Sequence, residues 1–78
     1  MSSRLPRVTA AQVIRVLEQL DFYLSRQSGS HKIYKNAEDK RVTVPFHSQQ
    51  ILHPKTLKSI LNDAELSVEE FIQRLRVS

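Results

Sequence analysis

The 78-residue sequence contains no cysteine, no tryptophan and one glycine. Without cysteine there are no disulfides, no thiolate chemistry and no zinc site built on sulfur. A single glycine, Gly29, excludes the glycine-rich phosphate loops of the Walker and Rossmann kinds. No apolar run approaches the ~20 residues that span a bilayer. The opening residues, MSSRLPRVTAAQ, lack an apolar leader core. A cytoplasmic, non-membrane chain is therefore expected. The length allows one domain, read as 1–78 with its core over about residues 9–75. A core of this size supplies only ~3–5 kcal/mol of net stability. A partner or self-association is expected to add to it.

Positive charge is in excess but unevenly placed. The chain carries 12 Lys and Arg against 8 Asp and Glu, a net +4. Residues 26–58 hold Arg26, Lys32, Lys35, Lys40, Arg41, Lys55 and Lys58 against Glu38 and Asp39, a net +5. All three histidines, His31, His47 and His53, lie in this segment. Residues 59–78 carry a net −2. A basic middle beside an acidic tail points to a polyanion-binding face. A solvated basic surface has the same pattern.

Thr9-Ala10-Ala11-Gln12 has the form of a capping box that opens a helix. Val13, Val16, Leu17 and Leu20 follow at helical spacing, and the helix is expected to end near Asp21. Residues 22–27 then read as a strand, Ser28-Gly29 as a turn, and 30–35 as a second strand of a hairpin. A polar turn at 36–40 leads to a third, β-branched strand at 41–45, ended by Pro45. Residues 47–53 form a loop. Pro54 suits the first position of a second helix whose apolar face is Leu57, Ile60, Leu61 and Ala64. Ser67-Val68-Glu69-Glu70 caps a short third helix. The expected fold is α+β: a helix, a three-stranded antiparallel sheet, a helix and a short C-terminal helix. Helices on one face leave the other sheet face open.

The densest run of reactive residues is RQSGSHKIYK at 26–35. Strand alternation puts His31, Ile33 and Lys35 on one side and Lys32 and Tyr34 on the other. The histidines have no short ligand spacing and no cysteine beside them, so neither a metal nor a cofactor is expected. No Gly-x-Ser-x-Gly elbow accompanies Ser28, Ser30 or Ser48. What the inventory does supply is histidine with Lys and Arg. Those residue types suffice for metal-free RNA cleavage through the 2′-OH. They equally suit a non-catalytic RNA-binding module, or a basic domain that binds an acidic protein.

Several stretches, taken in order, resemble the HicA family of toxin–antitoxin ribonucleases over about residues 9–73. They are Leu17 with Asp21-Phe22, then Arg26-Gln27-Ser28-Gly29-Ser30-His31, Ile33-Tyr34, and Arg41-Val42-Thr43-Val44-Pro45 with His47. Thr56-Leu57, Ser59-Ile60-Leu61 and Leu66-Ser67-Val68-Glu69-Glu70-Phe71 complete the set. The resemblance implies a fold similar to double-stranded-RNA-binding domains and cleavage of mRNA. It also implies a HicB-type antitoxin that covers the active face in a hetero-oligomer. The family's catalytic histidine, in Gly-Ser-His, maps onto His31, as general acid/base. Arg26, Lys32, Lys35, Gly29 and Ser30 around it are the candidate RNA-binding residues. The family usually has glycine where this chain has Asp21, often a second histidine at Lys32, and commonly glycine at Lys55.

Overall fold

The structure, a computed structural model, describes residues 4–47 and 49–77. Ser48, in the expected 47–53 loop, and residues 1–3 and 78, at the ends of the expected 1–78 domain, lie outside the described residues. The elements are α1 (Ala10–Gln19), β1 (Tyr23–Ser28), β2 (His31–Lys35), β3 (Arg41–Pro45), α2 (Pro54–Ala64) and α3 (Val68–Val77). The strands form one antiparallel sheet in the order β1-β2-β3. This is the expected α+β arrangement, consistent with a double-stranded-RNA-binding-domain-like fold.

α1 starts at a reciprocal capping box. Gln12 N donates to Thr9 Oγ1 at 3.3 Å, and Thr9 N donates to Gln12 Oε1 at 2.9 Å. Its buried stripe is Ala10, Val13, Ile14, Val16 and Leu17. It stops in a Schellman motif: Asp21 N donates to Glu18 O at 3.1 Å and Phe22 N to Leu17 O at 3.0 Å. Asp21 occupies the left-handed position, φ +67°. Phe22 is therefore not the first strand residue. It turns inward and is buried beside Leu17 in the core. α2 ends the same way, with Glu65 at φ +56° and bonds from Glu65 N to Asn62 O (3.1 Å) and Leu66 N to Leu61 O (2.9 Å).

A side chain with a Cβ pays for the left-handed conformation, and an acid there also faces the negative end of the helix dipole. Asp21→Gly is accordingly expected to stabilise the fold by about 1 kcal/mol. A urea titration should show a higher midpoint with an unchanged slope. No rise would mean that Asp21 is held by something other than this cap.

The sheet turns one face to the helices. Tyr34 stands opposite Val42, and these two join Val44, Leu17, Leu57, Ile60 and Phe71 in a single core. Burial, and secondarily the negative charge of Glu18, pushes the Tyr34 phenol above its ordinary value of 10.0. The opposite face is open, and all of β1 is exposed. Ile33 is the exception there: it is buried but outside the main core, between its cross-strand partners Arg26 and Thr43. The ladder between β1 and β2 slips between Leu24 and Arg26, leaving Ser25 as a bulge residue.

The hairpin turn falls one residue later than expected. Ser28 pairs with His31, so the loop is Gly29-Ser30. Gly29 comes first in it with φ +57°, the conformation a tight two-residue hairpin demands there. A Cβ at Gly29 would meet nothing within 4 Å, so it is backbone conformation that calls for glycine here.

The third helix is longer than expected. α3 has 10 residues, as many as α1. Ser67 Oγ accepts from Glu70 N at 3.1 Å to cap it. Phe71 is its fully buried anchor, and Gln19 Nε2 donates to Arg74 O at 3.1 Å to tie α1 to α3. At the other end, Lys40 Nζ joins Glu38 (3.4 Å) and Glu65 (3.3 Å), linking the β2–β3 turn to the end of α2. These two acceptors, Glu65 foremost, raise the Lys40 ammonium above its ordinary range.

Candidate functional site

His31 opens β2 directly after the Gly29-Ser30 turn, with Ser28 opposite on β1 and Pro45 opposite on β3. Phe46 N donates to Ser30 O at 2.6 Å. This bond holds the end of β3 against the turn that carries His31. The histidine is exposed, and no described residue hydrogen-bonds its ring. Both ring nitrogens are thus available to a ligand.

α2 runs past this end of the sheet. Its start is fixed by His53, whose Nδ1 accepts from Lys55 N at 3.1 Å, with Pro54 in the first turn. One groove results. His31, Thr43 and Pro45 form its sheet side; Lys55, Thr56 and Ser59 form its helix side, with buried Ile60 beneath. None of these residues is a carboxylate. Lys55 contributes a cation, and the positive end of the α2 dipole lies at the same place. An anion with a proton to lose or gain beside it is what such a groove accommodates.

The candidate residues divide between the two faces. Arg26 pairs with Ile33, on the His31 face. It is diagonal to His31 across the strands, roughly 7–8 Å by standard sheet spacing. Lys35 is on the same face but four residues along, roughly 13 Å from His31 at ~3.3 Å per residue. There it stands opposite Arg41, a cation of the basic segment that is not among the candidate RNA-binding residues. Gly29 and Ser30 form the turn next to His31. Lys32, by contrast, points to the helix side, as alternation requires. Its ammonium lies 4.1 Å from the centre of the Phe46 ring. That cation–π contact holds Phe46 rather than the groove.

Lys55, Thr56, Ser59 and Thr43 were not singled out as site residues. A signal existed for the helical ones. Lys55 and Ser59 are four apart, and Thr56 and Ser59 three apart, so they share one face of α2, away from Leu57 and Leu61. Helical spacing shows that this polar face exists, but nothing local tells that it meets His31. Among the described residues no three His, Asp or Glu side chains group as a metal site. No helix among them is long and apolar enough to cross a membrane.

Comparison with known proteins adds one positive result. Residues 10–66 match the family model described as the HicA toxin of bacterial toxin–antitoxin systems. The match runs from the first residue of α1 to just beyond α2 and leaves out α3. No curated protein matches the chain significantly.

Proposed function

Since this chain belongs to the HicA toxin family of bacterial toxin–antitoxin systems, we propose that it is an endoribonuclease that cuts mRNA, with His31 as general acid/base. The observation that carries the reading is the position of His31. An exposed imidazole that no described residue hydrogen-bonds lies in a groove with no carboxylate among its described lining residues, beside a lysine and a helix N-terminus.

The chemistry is a transesterification that needs no metal. The neutral His31 ring takes the proton of a ribose 2′-OH as that oxygen attacks the neighbouring phosphorus. The P–O5′ bond then breaks, and the imidazolium returns the proton to the departing 5′-oxygen. The products are a 2′,3′-cyclic phosphate and a free 5′-OH. Lys55 and Arg26 offset the negative charge that builds on the phosphate oxygens. Lys35, with Arg41 beside it, holds the backbone further along the open sheet face. Gly29 and Ser30 let the strand approach the turn. Lys32, engaged with Phe46, keeps the end of the sheet closed and reaches the RNA least. A HicB-type antitoxin silences the enzyme by covering this groove in a hetero-oligomer. An mRNA substrate places the protein in the cytoplasm.

Wild-type protein incubated with mRNA in excess EDTA is expected to yield fragments ending in 2′,3′-cyclic phosphate. End-group analysis of the fragments reads the result. Cleavage lost on chelation would point to a metal mechanism and remove His31 from its role. RNA that is bound, salt-sensitively, but recovered whole would make the protein a binding module.

A further inference from the structure

A second concavity, of about 390 Å³, continues the His31 groove, with Pro45 and Thr56 lining both. That volume falls within the ~300–1,000 Å³ of small-ligand sites. Its wall is the segment leading into α2, including His47, Gln50, Ile51 and His53. Residues 50–52 of it are tied to their surroundings through the backbone. Ile51 bridges to Thr9, Leu52 N donates to Val8 O at 2.8 Å, and Gln50 N donates to His47 O at 3.1 Å.

The chemistry of this pocket differs from that of the groove beside it. Among the described residues no Lys, Arg, Asp or Glu lines it, so it offers a phosphate little. It offers a neutral, flat, polar-edged group a good deal. Ile51, 45 % exposed, provides an apolar contact, and His47 provides an imidazole. His53 is held by its own helix cap: because Nδ1 accepts from Lys55 N, the neutral ring carries its proton on Nε2. That leaves one donor of fixed identity. Gln50 adds an amide with both donors and an acceptor. An apolar or aromatic surface, with a few hydrogen-bonding groups at its side, is how single-stranded bases are recognised.

We propose that this pocket is a base-recognition subsite, which takes the base of the nucleotide adjoining the scissile phosphate, with Gln50 and His53 reading its edge. Its place next to a scissile phosphate rests on the RNA-cleavage reading; its preference for a base over a phosphate does not. The division of labour follows from charge. The backbone lies along the cationic groove and the open sheet face, and the base turns into the uncharged pocket.

The test is an NMR titration of the wild-type protein with each of the four nucleoside 5′-monophosphates, up to about 10 mM because single nucleotides bind weakly. Saturable shifts are expected at the amides of Gln50, Ile51 and Thr56, with Kd differing about tenfold between the best and worst base. Gln50→Ala should flatten that difference. So should His53→Asn, which keeps a helix-capping side chain but removes the ring donor. Absence of saturable shifts at these residues, or equal Kd for all four bases, overturns the proposal. Cleavage is scored separately. Nucleotide binding here without RNA cleavage would leave the subsite and remove the enzyme; cleavage without nucleotide binding here would do the reverse.

Discussion

His31→Ala is expected to slow RNA cleavage by about 10²–10⁴-fold, the usual worth of a positioned proton-transfer group, while the melting midpoint hardly moves. The two halves of this expectation have separate physical grounds. The rate falls because, among the described residues, no other imidazole lines the groove that holds His31; His47 and His53 line the adjoining pocket. The fold persists because His31 is exposed and contributes to the sheet through its backbone, paired with Ser28 and Pro45. Substitutions at such surface positions usually stay within about ±0.5 kcal/mol. His31→Gln sharpens the result, since glutamine hydrogen-bonds phosphate without transferring protons at neutral pH and should be nearly as inactive as alanine. Single-turnover cleavage of one labelled RNA, alongside thermal melts, measures both quantities. Equal rates in wild type and His31→Ala would end the catalytic assignment.

Phe71→Ala is expected to leave most molecules unfolded at 37 °C. Phe71 is fully buried and is the largest of the side chains shielded to this degree. Removing a buried phenylalanine ring costs about 3–5 kcal/mol, against ~3–5 kcal/mol of net stability for a domain this small. The two amounts are equal in size, so the mutation consumes the whole margin. Phe71 belongs to α3, beyond the 10–66 span of the family match. A chain ending at residue 66 should therefore fail to fold for the same reason, as it loses Phe71 together with partly buried Val68 and Leu75. Circular dichroism and urea titration of the variant read this directly. A Phe71→Ala protein that melts cooperatively within a few degrees of wild type would show that α3 is dispensable to the core.

Most local structure could be read along the chain because its causes are local. The Thr9–Gln12 capping box, Pro54 at the head of α2, the Ser67 cap and the β-branched strand 41–45 each act within four residues. All appear where spacing and side-chain chemistry put them. The boundaries that moved did so for reasons that include non-local pairing. The turn is Gly29-Ser30 rather than Ser28-Gly29 because the β1–β2 register sets Ser28 against His31. Phe22 left the strand because the Schellman motif after α1 turns it into the core. The third helix proved longer because its face, from Val68 to Leu75, is covered by the rest of the molecule.

The sequence alone determined the α+β class, the concentration of positive charge and histidine in residues 26–58, and His31 next to a glycine turn. Such properties depend on composition, on periodicity and on residues adjacent in the chain. Tertiary structure alone decided what surrounds His31. It brought Lys55, Thr56 and Ser59 from α2 to the end of β2, over 20 residues away in the chain, and it set His47, Gln50 and His53 in an adjoining uncharged pocket. It also sent Lys32 to Phe46 on the opposite side from Arg26 and Lys35. Strand alternation foretells which side a residue takes, but not what is packed there. That depends on how α2 crosses the sheet, which is settled when Leu57, Ile60 and Leu61 find Val42 and Val44 in the common core.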